Sequence, residues 1–288
     1  MEDTVEKPLL TWGQCQVGWI GGLSGLTLGL LGVPIAFHAA TLHDPREVFP
    51  PGEKLVYQVR WNPPAWAFFL PPVNAGELTF QVHSPSIHEG RQIYRVTADA
   101  ISSGLFLKVA GISVRDHFES LIDPQEFCSV KMTKLLREGK RQRDVFQTVD
   151  RKTGTGRYQA YDVSKDPRVV LKDQELQGLP YCVQDVISAI YLTRLHDLKV
   201  GGEFPLTISD NGVVKDVQLR ITKREAIEAE AGKYTALRIE TFSVFGGLFR
   251  QGGTLVVWVS DDAKKVPVRF EARVSFGKVE GSIKRQAE

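Results

Sequence analysis

The chain has 288 residues, with 42% hydrophobic and 24% charged side chains and a formal net charge of +2. That length supports a substantial core, and near-balanced charge excludes the strongly basic face that nucleic-acid binding requires. Its three cysteines are too few for a disulfide scaffold.

After a polar segment, residues 1–16, the chain turns apolar: from Leu9 to His43 there is no Asp, Glu, Lys or Arg. Val17–Ala40 would make a helix about 36 Å long at ~1.5 Å per residue, enough to cross a bilayer. Two readings compete. As a signal peptide it ends in small residues, Ala39 and Ala40, but it starts with Glu2, Asp3 and Glu6 where positive charge is expected. Bulky Phe37 or His38 would also stand at the −3 position. Length and the lack of a clean cleavage site favour an uncleaved anchor. Gly21, Gly25 and Gly29 repeat at the spacing that lets membrane helices approach closely, although a merely glycine-rich leader reads the same way. Trp-Gly-Gln before Cys15 is not a lipobox. Either reading places the rest of the chain in the periplasm or cell envelope, with the membrane as a partner. Export would permit Cys128 and Cys182, the two cysteines beyond this segment, to pair.

A linker, residues 41–51, leads into a domain rich in strand signals. Lys54–Trp61 alternates Leu55, Tyr57, Val59 and Trp61 with polar residues, the period-two mark of a half-buried strand. Similar runs are Glu77–Val82, Gln92–Ala98, Val114–Ile122, Phe127–Leu135, Arg143–Val149, Val214–Thr222, Tyr234–Phe242, Thr254–Ser260 and Val266–Phe276. Turn residues separate them at His88–Gly90, Arg137–Gly139, Lys152–Gly154, Asp210–Gly212 and Asp261-Asp262. Short turns imply antiparallel hairpins. One stretch breaks the pattern. Val183–Leu198 carries apolar residues at helical spacing between Pro180 and Gly201-Gly202. The expected fold is all-β: a large curved antiparallel sheet, an open roll or half-barrel, spanning residues 52–288. One amphipathic helix packs into its concave face, and the N-terminal transmembrane or signal helix precedes it.

Signals for chemistry are weak. The histidines show no metal-ligand spacing, and Asp261-Asp262 runs into Ala263, Lys264 and Lys265 instead of further oxygen ligands, so no metal and no cofactor is expected. There is no Gly-x-Ser-x-Gly elbow and no phosphate-binding glycine loop opening a helix. Arg137–Arg143, the densest basic run, reads as a solvated hairpin turn in preference to a phosphate patch. Asp185 and Arg194 on the helix are a candidate polar site, but Asp185 equally suits the positive end of the helix dipole. What remains is apolar recognition. Trp61–Gly76 (WNPPAWAFFLPPVNAG) holds four prolines, four aromatics and no charge. Ser102–Gly111 and Phe242–Gly253 are similarly apolar connections. Trp66, Phe68, Phe69, Leu70, Phe245, Leu248 and Phe249 are candidate contacts for a cavity mouth or a membrane, although burial in an ordinary core accounts for them as well.

Several stretches carry a family likeness: Gly52–Tyr57 (GEKLVY), Ala75–Phe80 (AGELTF), Val183–Arg194 (VQDVISAIYLTR), Gly201–Glu203, Ala231–Tyr234, Val257–Asp262 (VWVSDD) with Val266–Val268, and Ser275–Gly277. Together, over roughly residues 52 to 284, they resemble the bacterial exported family known as domain of unknown function 3108. The resemblance implies a Gram-negative envelope protein with a curved antiparallel sheet, and brings no catalytic residues. This chain departs from that pattern in its acidic start and in the enlarged apolar insert Pro63–Val73. The expected function is non-enzymatic binding or assembly, with a lipid-like ligand or an envelope protein as partner and no nucleic acid. The alternatives are a periplasmic hydrolase using scattered acids such as Asp116, Asp185 and Asp261, or a ligand-free scaffold.

Overall fold

Turn chemistry sets where the chain reverses. At Glu89-Gly90 and Asn211-Gly212 both central residues take positive φ (48° and 75°; 52° and 73°), the twist that two-residue hairpins need. The computed structural model describes residues 42–67, 69, 71–104, 113–241, 255–274 and 277–287. The expected helix over 17–40 lies outside these residues.

In chain order, α1 (Pro45–Val48) precedes β1 (Lys54–Asn62), β2 (Val73–Val82), β3 (Ser86–His88), β4 (Arg91–Ser102), β5 (Arg115–Ile122), β6 (Ser129–Glu138), β7 (Arg141–Asp150), β8 (Thr155–Asp162) and β9 (Val169–Leu176). Helix α2 (Val186–Leu195) follows. After it come β10 (Glu203–Asp210), β11 (Val213–Ala229), β12 (Gly232–Thr241), β13 (Leu255–Ser260), β14 (Pro267–Val274) and β15 (Gly277–Ala287). The described strands form one antiparallel sheet in the order β10-β11-β12-β13-β14-β15-β1-β2-β4-β5-β6-β7-β8-β9, with β3 beside β4. First and last strands pair, Lys54 opposite Ala287, so the two halves of the chain meet in mid-sheet.

The sheet rolls until its two wings are stitched together through the segment before α2. On one side Ser129 N donates to Val183 O (3.0 Å); on the other Gln184 N donates to Thr207 O and Ser209 N to Gln184 O (both 2.8 Å). A disulfide between Cys128 and Cys182, with Cα atoms 5.2 Å apart, fixes the same segment. The β10–β11 turn then reaches the inner face of the opposite wing. There Lys134 Nζ donates to Asp210 Oδ1, and Gln147 Nε2 donates to Ser209 O at 3.3 Å.

The helix lies inside this roll, which corrects the expectation of an amphipathic stripe. Ile187, Ala189, Tyr191, Leu192 and Leu195 are buried, and so are Ser188, Thr193 and Arg194. With only Val186 exposed and Ile190 half-buried, the helix has almost no solvent face to keep polar. Its core partners include Phe49, Val96 and Ile122 on one side and Leu219, Ile239 and Val259 on the other.

Candidate functional site

The two charged residues proposed for one polar site stand at opposite ends of α2 and belong to separate networks. Asp185 is the N-cap. Its Oδ1 accepts from the backbone N of Ile187 (2.8 Å) and of Ser188 (2.9 Å), while Oδ2 accepts from Ser120 Oγ (2.6 Å) and Ser129 Oγ (2.7 Å). Two orphan helix N–H groups and two buried hydroxyls are thereby satisfied, which is capping chemistry. Arg194 is 0% exposed, and its guanidinium donates to both carboxylate oxygens of Glu53 at 2.7 Å and to the carbonyls of Val48 and Lys264. The Phe49 and Tyr191 rings each lie 5.1 Å from its Cζ. Burial disfavours the Arg194 charge, but the Glu53 hydrogen bonds and charge outweigh it and hold its pKa above the ordinary value. Burial pushes the neighbouring Tyr57 and Tyr191 hydroxyls up. With the Arg194 and Glu53 charges matched, this network closes one end of the roll, beside a cleft of about 530 Å³ lined by His43, Tyr94, Phe127 and Leu195 among others. Sequence reading gave no hint of Glu53 as the partner, because it lies 141 residues away.

The other acids do not converge. Asp116 is 8% exposed and accepts from Arg137 N at 2.8 Å; burial raises its pKa. Asp261 pairs with Arg224 in the turn after β13. Among the described residues no cluster of three metal-ligating side chains is present.

A different feature emerges from strand parity. Cross-strand register puts the residues that pack on α2 and their i±2 neighbours on one inner face. Along that face burial falls away from the plugged end on several strands, while Ala272 and Asp116 stay buried near the other end. Tyr57 is 1% exposed, yet Trp61 is only half-buried; Met132 is 4% exposed, yet Leu136 is half-buried; Ile283 is 0% exposed, yet Val279 is half-buried. Phe118 on β5, and Val257 and Leu255 on β13, follow the same gradient. The inner wall near the second end, the mouth, therefore keeps half-buried apolar residues that the helix does not cover, with Lys134, Glu138 and Arg143 interspersed on β6 and β7.

The strand ends that flank the apolar connections of the sequence lie at the mouth. Asn62 pairs with Lys278, Gly76 with Ser102, Leu255 with Ala272 and Val274 with Gly277. The strand ends that bracket residues 63–72, 105–112, 242–254 and 275–276 thus all lie at that end. Trp66 and Phe69 are 75% and 70% exposed there. Phe68, Leu70, Phe245, Leu248 and Phe249 lie outside the described residues. The chain arrives from Leu42 at the opposite, plugged end: His43 N donates to Leu195 O at 2.8 Å, and Val48 and Phe49 are buried. Strand β1 spans about 30 Å between the two ends at ~3.3 Å per residue.

A rolled antiparallel sheet, plugged at one end by a buried helix and apolar at the other, defines a β-barrel-like scaffold. The chain belongs to the family described as Protein of unknown function (DUF3108), whose model matches residues 56–284. No curated protein matches it. Its fold is similar to that of a β-barrel-like protein of domain of unknown function DUF1849 from Brucella abortus, at 7% identity and a TM-score of 0.51, over 82% of this chain and 97% of that one. Weaker matches are a candidate exported protein with a YmcC-like fold from Bacteroides fragilis (8% identity, TM-score 0.34, 83% and 96% of the two chains) and a candidate lipoprotein from Parabacteroides distasonis (10%, 0.34, 82% and 95%).

Proposed function

We propose that this protein is a non-enzymatic cell-envelope factor that holds a lipid-like ligand against the inner wall at the mouth of its roll. The observation that carries the reading is the burial gradient: the same face that is sealed at the plugged end offers half-buried Trp61, Phe118, Leu136 and Val257 at the mouth. Apolar surface of this kind is stabilised by covering it, at about 25 cal/mol per Å². Candidate contacts Phe245, Leu248 and Phe249 fall between strand ends at this mouth. A disulfide suits an oxidising compartment, and the apolar stretch 17–40 supplies export or anchoring. The hydrolase alternative loses support because Asp116, Asp185 and Asp261 are each engaged separately.

Native mass spectrometry of the full chain, extracted from membranes, tests this. The expected spectrum carries an amphiphile-sized adduct that disappears in Leu136→Trp, which fills the wall. An adduct-free wild type would overturn the ligand reading. A second reading, docking of an envelope protein, is favoured by the exposure of Trp66 and Phe69 on their proline-framed loop. Replacing residues 63–73 by Gly-Ser would then release a co-purifying protein and leave any lipid adduct unchanged.

A further inference from the structure

The basic run that sequence alone assigns to a solvated turn has a more specific place in the fold. Met132 packs in the core around α2. Continuous pairing carries its face outward: Met132 opposite Gln147, Lys134 opposite Val145, Leu136 opposite Arg143 and Glu138 opposite Arg141. Arg143 in turn lies opposite Asp162 on β8. Arg141 and Arg143 therefore sit on the inner face at the mouth, directly beyond half-buried Leu136.

A groove of about 420 Å³ opens there, lined by Lys140, Arg141, Arg143, Asp162, Ser164 and Leu171. Three cations and one carboxylate line it, and a second carboxylate, Glu138, stands at its edge opposite Arg141. Asp162 is occupied locally: its Oδ1 accepts from Ser164 N (2.9 Å) and Ser164 Oγ (2.6 Å), which lower its pKa. Arg143 uses one nitrogen on Glu138 (3.1 Å), while its buried Nε has no partner among the described residues. Lys140 and Arg141 are exposed and form no ion pair among the described residues. Unused donors beside half-buried Leu136, on a face that also carries Asp116 and the Lys134–Asp210 pair, match a molecule with an anionic head and an apolar tail.

We propose that this groove binds the anionic headgroup, a phosphate or carboxylate, of an amphiphile whose apolar part lies along Leu136 and Phe118. The proposal rests on the ligand reading above and adds the class of ligand. Neutral-headed amphiphiles enter the same mouth but gain nothing from the cations.

The test is isothermal titration of the full chain in neutral detergent with three probes: lysophosphatidic acid, its uncharged monoacylglycerol counterpart, and inorganic phosphate. Lysophosphatidic acid is expected to bind roughly tenfold or more tighter than monoacylglycerol, from charge-assisted contacts. The double variant Lys140→Gln/Arg141→Gln should erase that difference and leave monoacylglycerol binding unchanged. Its exposed side chains make an effect on folding negligible, and circular dichroism checks that. Equal affinity for the two lipids in the wild type, or an unaltered preference in the variant, overturns the headgroup assignment while the ligand reading stands. Inorganic phosphate binding as tightly as lysophosphatidic acid overturns the lipid as its source. Absence of binding by either lipid overturns both readings.

Discussion

At the plugged end, the buried charges are matched one by one. Asp185 takes four hydrogen bonds, Arg194 is held by Glu53 and two carbonyls between two aromatic rings, and a disulfide staples the segment ahead of the helix. At the mouth, the same sheet presents half-buried apolar residues, exposed Trp66 and Phe69, and Lys140 and Arg141, which form no ion pair among the described residues. One end is built so that it cannot change without unfolding. On the proposed reading, the other keeps its surface for a ligand. The contrast teaches that stability and recognition are segregated along the strands, so substitutions should fall into two classes.

The largest effect is expected for Glu53→Ala. It leaves Arg194 buried and uncompensated, costing about 3–5 kcal/mol in urea unfolding. Next, Cys128→Ser/Cys182→Ser opens a cross-link between residues 54 apart and should lower stability by about 2–4 kcal/mol. Dithiothreitol should reproduce that loss in the wild type and do nothing to the double variant. Asp185→Ala removes the cap and strands Ser120 and Ser129, for about 2–3 kcal/mol.

A smaller, pH-dependent effect belongs to His196, which closes α2 and stacks on Phe204 at 4.5 Å. Burial lowers its pKa, so the folded state favours the neutral ring. Its contribution is fully present above the unfolded value of about 6.5 and is lost as pH falls through the folded value. His196→Gln should flatten that part of a stability-against-pH curve. The smallest stability change, within about 0.5 kcal/mol, is expected for Trp66→Ser/Phe69→Ser at the mouth. Loss of several kcal/mol there would break the division between the two ends.

Much of this architecture was legible in the sequence. Alternation marked β1, β4, β5 and β13 because their inner faces carry consecutive apolar residues, and Asp-Asn-Gly marked the β10–β11 turn. Strands β8, β9 and β15 were not legible: TGRYQAYD, VVLKDQEL and GKVEGSIKRQA lack a clean apolar period. Each buries only one or two apolar side chains, such as Tyr158 and Ala160 on β8, Leu176 on β9 and Ile283 on β15, too few to show a period. The helix was found, but the burial of its charged end was not, because Arg194 reads as a solvent-facing residue until Glu53 is brought beside it. Asp185 was correctly weighed as a dipole partner. The groove escaped notice because parity must be followed across β6, β7 and β8 before Arg141, Arg143 and Asp162 share a face.

The most direct test of the central claim is photolabelling of the full chain with a diazirine-bearing fatty acid, followed by peptide mapping. The account predicts labels on the inner face at the mouth, at Trp61, Phe118, Leu136 and Val257, and none at Tyr57 or Met132, which the plug seals. Labels spread evenly over the outer face of the sheet, with the mouth unmarked, would contradict it.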